Sequence, residues 1–371
     1  MKALLVSNSS WNLLNFRMPL IQVLQEHSIE IQTAAPEDQW TETFKQKCNC
    51  THHSLQHLAP RGNNPVQDLL LFFELYKLYK KSKPDLVFHF TVKPNIYGGL
   101  AARISGISYV AHLTGLGKAF LKKGFNSRLM LQLYRLGLKK AKEVIFHNEE
   151  DRDYFISNGV VRSIQTFIVP GSGIDIDHYR PHLKIHEKPF VFVYSGRILP
   201  EKGILELCEA ASGLKLKYPD IKIVMIGSAD EKLLERKWLE KFRFYCREGI
   251  VNWFGHQEDP REWLNQAHVF VLPSYREGKS KSLLEAMAMC LTVISTDVPG
   301  CRDLFREGAQ GLLVPPGQVS SLQHAMEQMM LKGTEELRRM GMVNRRVVEL
   351  KYSSVKVKQM YEEILFQQSE K

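Results

Sequence analysis

The sequence lacks any apolar run approaching the roughly 18–20 residues needed to cross a bilayer. Its opening, MKALLVSNSSW, has a four-residue apolar core and then polar residues. That is too short for a secretory leader and predicts a buried first strand in a cytoplasmic protein. Cysteine is sparse, with six residues scattered at 48, 50, 208, 246, 290 and 301. A disulfide scaffold is excluded, and the thiols are expected to stay reduced. Cys48, Cys50, His52 and His53 crowd one segment, but they fit no zinc spacing and have no second half, so no metal is expected there. Low-complexity tracts are missing too. With 44% hydrophobic and 24% charged residues, the composition is that of a folded globular protein, not of a disordered or collagen-like chain. A length of 371 residues suits two domains.

Acidic residues are scarce over 61–142, which holds 15 Lys or Arg against Asp68, Glu74 and Asp85. That block carries +12, while the whole chain carries +10, so everything else sums to −2. Such a block implies an anionic partner: nucleic acid, a phosphorylated substrate or an anionic membrane. No helix-turn-helix, RNP-like aromatic motif or zinc finger accompanies it, so nucleic acid is not expected. Gly115-x-Gly117 lacks the third glycine of a dinucleotide fingerprint.

Strand-like apolar runs alternate with helical patterns throughout. The first half offers Ala3–Val6, Ile29–Ala35, Leu86–Phe90, Tyr109–Leu113, Val144–His147 and Phe167–Val169. The second offers Phe190–Tyr194, Ile221–Ile226, Val251–Phe254, Val269–Leu272, Thr292–Ser295 and Leu312–Val314. Short buried strands between helices predict an α/β protein with two doubly wound parallel sheets, Rossmann-like in plan. The turn-rich stretch 170–189 marks the boundary, giving domains 1–180 and 181–352, with a last helix over 353–371. In such sheets ligands bind at the carboxyl ends of the strands, so a cleft between the domains is expected and strand-to-helix junctions carry the most weight.

Two junctions stand out. PSYREGKSKSLLEAMAM, 273–289, places Glu277 on the loop after a strand and Glu285 just inside the next helix. Lys279, Ser280, Ser282 and Leu283 surround that helix start, whose unpaired N–H groups and dipole suit a diphosphate. The two carboxylates can accept charge-assisted hydrogen bonds from hydroxyls of a sugar and of a ribose. VYSGRILPEKGILEL, 193–207, brings Arg197 and Lys202 off another strand end, a fork and a mobile point charge for a phosphate.

Together these segments resemble the retaining glycosyltransferases of family 4, which have the GT-B fold: two doubly wound domains facing a cleft, with a C-terminal helix returning to the N-terminal domain. The resemblance covers the whole chain, and the pairing of G-R-x-x-x-E-K-G with E-G-x(6)-E-A-M-A is specific. It implies that Arg197 and Lys202 hold the donor diphosphate, that Glu277 contacts the donor sugar and that Glu285 contacts the ribose. Where relatives usually have F-P after E-G, this chain has Lys279-Ser280. HFTVKPNIYGGLAA, HLTGLGKAF and STDVPGCRDLF look like a subgroup that extends undecaprenyl-diphosphate-linked bacterial glycans. Thr114-Gly115 fill the place of the His-Gly of many relatives, and His112 stands two residues earlier, either packed in the strand or facing the acceptor. In the first turn Asn8, Ser9 and Ser10 offer small polar groups at the end of the first strand, and Asn15 and Arg17 either reach the acceptor or belong to simple helix capping.

The resemblance implies a UDP-linked donor, a polyprenyl-diphosphate-linked saccharide as acceptor, and no cofactor. Two D-x-D pairs, Asp151/Asp153 and Asp175/Asp177, follow no buried strand into the donor site, so a metal-free reaction is expected. The expected location is peripheral, on the inner face of the cytoplasmic membrane. The segment 69–81, LLLFFELYKLYKK, is apolar enough to pack on the sheet. The loop-like AFLKKGF, 119–125, is therefore assigned the anionic-lipid contact through Phe120, Lys122, Lys123 and Phe125. The alternatives are a transferase for a soluble acceptor and a non-catalytic nucleic-acid-binding protein.

Overall fold

The computed structural model describes residues 1–59, 64–116, 120, 124–181, 189–230 and 234–366. The chain forms two units, one of Met1–Gly173 together with the chain from Ser354 onward, the other of Ile174–Ser353.

The first unit is built on seven strands: β1 (Lys2–Val6), β2 (Glu30–Ala35), β3 (Thr51–Ser54), β4 (Leu86–Phe90), β5 (Ser108–Leu113), β6 (Glu143–Phe146) and β7 (Thr166–Ile168). All pairings are parallel, in the order β3-β2-β1-β4-β5-β6-β7. Strand side chains alternate between faces. Leu4 and Val6 therefore join the core under the helix Pro65–Ser82, while Ala3 and Leu5 join the one under the helix Met18–Glu26. The helix Ser354–Leu365 returns to this second face. Its buried Val357, Tyr361 and Ile364 recur at helical spacing and pack in the same core as Leu20 and Leu24.

β3 has no counterpart among the apolar runs, because THHS offers none. It is an edge strand pairing with β2 alone, tied by Thr33 Oγ1 to His52 Nδ1 and Gln32 Oε1 to His53 Nε2, both 2.9 Å. The two histidines that crowd the cysteines thus serve cross-strand hydrogen bonds. Among the described residues no three His, Cys, Asp or Glu stand together as a metal site would need.

The second unit carries β8 (Val191–Ser195), β9 (Lys222–Ile226), β10 (Asn252–Trp253), β11 (Val269–Leu272), β12 (Thr292–Thr296) and β13 (Gly311–Val314). The sheet is again wholly parallel, ordered β10-β9-β8-β11-β12-β13. Strand order reverses between β8 and β11, the switch point at which an open α/β sheet leaves a crevice. The two segments singled out in the sequence, 193–207 and 273–289, lie at these two strand ends.

Candidate active site

Past β8 the backbone turns at Gly196, whose φ is +157°. A Cβ there would lie 2.7 Å from the Tyr194 hydroxyl. That buried hydroxyl donates to the Arg197 carbonyl at 2.9 Å and fixes the turn. Burial, then the nearby Glu277 charge, holds the Tyr194 pKa well above its ordinary value, so it stays a donor. The Arg197 side chain is exposed and makes no hydrogen bond or ion pair among the described residues. Gly203, at φ +68°, sits so close to β11 that a Cβ would be 2.1 Å from the Pro273 carbonyl. The Tyr275 N–H donates to the Glu201 carbonyl at 3.0 Å and laces the two loops together. The result is a close ion pair: Lys202 Nζ lies 2.5 Å from Glu277 Oε1, with the side chains only 18% and 10% exposed.

The Glu277 loop is held from its other side. The Gly300 N–H donates to the Glu277 carbonyl at 3.3 Å. A Cβ on Gly300 would come within 2.1 Å of the Gly278 oxygen, so only glycine allows this approach. Lys279 turns inward: its ammonium is 5.1 Å above the Tyr352 ring, 3.3 Å from the Tyr352 hydroxyl and 3.7 Å from Asp303 Oδ2. It fills an interior slot with its stem and meets an aromatic face and a carboxylate with its charge. Burial lowers its pKa, and Asp303 opposes that shift.

Ser280 caps the helix Lys281–Ala288, its Oγ accepting from the Leu283 N–H at 3.4 Å and lying 3.3 Å from Ser282 Oγ. The Leu283 side chain is buried in the core. Glu285, 9% exposed, accepts from the Tyr179 hydroxyl at 2.7 Å and lies 3.6 Å from Lys281 Nζ. The structure therefore brings Arg197, Lys202, Glu277, Ser280, Ser282, Leu283 and Glu285 to one end of one sheet. Tyr194, Tyr179 and Gly300, which hold them, were not singled out from the sequence.

In the first unit the expected acceptor residues divide. Asn15 is half-buried, its Nδ2 donating to the Trp11 carbonyl at 3.0 Å within the helix Ser10–Phe16. Thr114 and Gly115 are half-buried just past β5. Arg17 lies inside, away from a surface where it could meet an acceptor, and His112 is packed in the strand, the first of its two readings. The Arg17 guanidinium is 2% exposed, 4.5 Å above the Phe90 ring and hydrogen-bonded with Tyr361. Burial pulls its pKa down to about 10, so it is still charged at neutral pH. The fully buried His112 ring is 4.6 Å from Phe90 and 5.8 Å from Tyr361. Burial, then the Arg17 charge, drives its pKa well below the usual value and keeps it neutral. Alternation along β5 explains the placement, since it sends His112 to the face covered by the C-terminal helix.

The same strand ends carry further buried polar groups, among them Asn8, which the sequence had pointed to. Asn8 Oδ1, Thr91 Oγ1 and Asn95 Oδ1 are buried without a partner among the described residues. Thr91 sits at φ +72°, a costly conformation for a β-branched residue and one that gathers at functional sites.

The D-x-D carboxylates are engaged locally. Asp151 accepts from Asn148 Nδ2 at 3.1 Å and Asp153 from Arg152 Nε at 2.8 Å. Asp175 accepts the N–H groups of Asp177 and His178, both at 3.0 Å, and Asp177 pairs with Arg180. Of the expected lipid-contact residues, Lys122 and Lys123 lie outside the described residues. Phe120 packs edge-on against Tyr154, ring centroids 5.9 Å apart, so it faces the core. Phe125 is 80% exposed.

Residues 2–148 match the family described as "Glycosyl transferase 4-like", and residues 175–346 match "Glycosyl transferases group 1". The chain is 29% identical over 325 residues to the N,N'-diacetylbacillosaminyl-diphospho-undecaprenol alpha-1,3-N-acetylgalactosaminyltransferase of Campylobacter jejuni, covering 83% of each. It is 27% identical over 281 residues to the UDP-Gal:alpha-D-GlcNAc-diphosphoundecaprenol alpha-1,3-galactosyltransferase of Escherichia coli, covering 72% of this chain and 71% of that one. Its fold matches Anabaena Alr3699/HepE, solved with UDP and glucose, at a TM-score of 0.81 and 18% identity over 99% of this chain and 100% of that one. The N-terminal sheet thus lies in a glycosyl transferase 4-like domain and the C-terminal sheet in a group 1 glycosyl transferase domain, and the chain has the GT-B fold of glycosyltransferases.

Proposed function

We propose that the enzyme moves a sugar, an N-acetylhexosamine, from a UDP-linked donor to a polyprenyl-diphosphate-linked saccharide, with retention and without a metal. The proposal rests on the β8–β11 switch point, where exposed Arg197, the Lys202–Glu277 pair and the capped helix start converge. Arg197 and Lys202 would neutralise the diphosphate as it leaves, the place where charge develops in the transition state. Front-face substitution fits: the departing phosphate oxygen takes the proton of the attacking hydroxyl, so no protein base is required. Glu277 would hold donor hydroxyls and Glu285 the ribose. Asn15, Thr114 and Gly115 would meet the acceptor, with buried Arg17 and His112 behind them. The acceptor class and the α-linkage find support in the names of the Campylobacter and Escherichia relatives, and the UDP donor in the latter. A panel of UDP- and GDP-sugars with a lipid-linked acceptor tests this. UDP release that persists in EDTA is expected; release of GDP alone, or loss restored by Mg²⁺ or Mn²⁺, overturns the donor or the metal-free assignment.

Membrane attachment is part of the proposal, with its contact moved to another element. No described helix is long and apolar enough to span a bilayer. The helix Pro65–Ser82 buries only Leu71, Leu75 and Tyr79, leaving Val66, Leu69, Leu70 and Phe73 exposed. Lys77, Lys80 and Lys81 extend that exposed face. Its two acids are turned to internal tasks, Asp68 to Lys93 at 2.8 Å and Glu74 to the Gln56 and His57 N–H groups. An apolar stripe ending in cations that form no ion pair among the described residues suits the interface of an anionic bilayer. Each lysine near such a surface contributes about 1 kcal/mol. Leu69→Glu/Phe73→Glu should abolish salt-sensitive co-sedimentation with anionic liposomes. Undiminished binding by this variant would remove the helix from the contact.

A further inference from the structure

Glu285 is held by a residue that no donor motif contains. The Tyr179 hydroxyl, 106 positions away in sequence, donates to Glu285 Oε1 at 2.7 Å. Both side chains are buried, and the bond engages Oε1, the same oxygen that Lys281 Nζ approaches at 3.6 Å. Burial and the Glu285 charge raise the Tyr179 pKa, so the hydroxyl remains a proton donor.

Tyr179 is itself tied down along its backbone. Asp175 accepts the N–H groups of Asp177 and His178, and the Asp175 carbonyl accepts the Tyr179 N–H at 2.9 Å. This turn presents the ring. Arg345 Nη1 donates to the Tyr179 and Ala288 carbonyls, both at 2.7 Å, and Nη2 to the Ile176 carbonyl at 3.2 Å. Ala288 ends the same helix that carries Glu285. One guanidinium thus staples the Tyr179 segment to the Glu285 helix. Arg261 Nη1 adds a bond to the His178 carbonyl at 3.0 Å.

We propose that Tyr179, clamped by Arg345, is a positioning residue that locks the Glu285 carboxylate with Oε2 presented to a ribose diol, making the site selective for ribonucleotide donors. This rests on the proposed donor role of Glu285. A locked carboxylate accepts from a ribose hydroxyl without first losing rotamer freedom, and the gain is lost when the ligand has no hydroxyl to donate.

The test compares inhibition of transfer by UDP and by 2′,3′-dideoxy-UDP. Wild type should favour UDP, and Tyr179→Phe, which removes one oxygen and keeps the ring, should cut that preference about 5- to 20-fold. Arg345→Lys should lower it in the same direction, so the outcome does not hang on one variant folding. Added to Glu285→Gln, Tyr179→Phe should lower it no further. If Glu285→Gln lowers the preference while Tyr179→Phe and Arg345→Lys leave it intact, the positioning role is overturned and the ribose role of Glu285 stands. If Glu285→Gln leaves the preference intact, the ribose role falls and the positioning role falls with it.

Discussion

Arg197→Ala and Lys202→Ala are each expected to lower kcat/KM about 30- to 1000-fold, or roughly 2–4 kcal/mol in the transition state. Both cations stand at the switch point, where a departing diphosphate would gather negative charge. Their effects on folding should differ. The exposed Arg197 side chain makes no hydrogen bond or ion pair among the described residues, so its loss should leave the melting temperature nearly unchanged. Lys202 is 18% exposed and neutralises Glu277, which is 10% exposed. Removing the ammonium strands a largely buried carboxylate and should destabilise the protein by about 1–3 kcal/mol. Melting curves alongside kinetics separate the two costs. Near-wild-type turnover by either folded variant would exclude that residue from the diphosphate role.

Both sheets were legible because parallel strands buried on both faces read as short continuous apolar runs, as VFVL at β11 does. β3 was not, since an edge strand held by histidine and glutamine side chains has no such run. That Arg197, Lys202, Glu277 and Glu285 would gather at one end of one sheet was legible because their segments run from strands into helices. Their supports were not: Arg345 reaches Tyr179 across 166 positions, and no local pattern encodes a contact that the tertiary fold makes. The burial of Arg17 ran against the usual surface preference of arginine. It depends on a Phe90 face and a Tyr361 hydroxyl brought together from distant parts of the chain. The helix Pro65–Ser82 packs on the sheet as its apolar content implied. Being apolar around much of its circumference, it could not show by composition that Leu71, Leu75 and Tyr79 are buried while Val66, Leu69, Leu70 and Phe73 stay exposed.

Glu277→Gln should reduce transfer as severely as the loss of a diphosphate cation, about 30- to 1000-fold, while UDP affinity holds or rises. Without donor, Glu277 shares its charge with Lys202 at 2.5 Å, so each group satisfies the other. On the proposed roles, donor binding would exchange that pair for two new contacts, with the ammonium turning to phosphate and the carboxylate to sugar hydroxyls. Glutamine keeps the shape and an acceptor oxygen, and Gly300 still holds its carbonyl at 3.3 Å. It loses the charge that strengthens bonds to hydroxyls as the sugar becomes electron-poor in the transition state. It also frees Lys202 for the diphosphate, which is why UDP alone should bind no worse. Calorimetric UDP titration beside transfer kinetics reads both quantities. Should UDP affinity fall in step with transfer, Glu277 would belong to the nucleotide subsite and the sugar contact would have to come from another group.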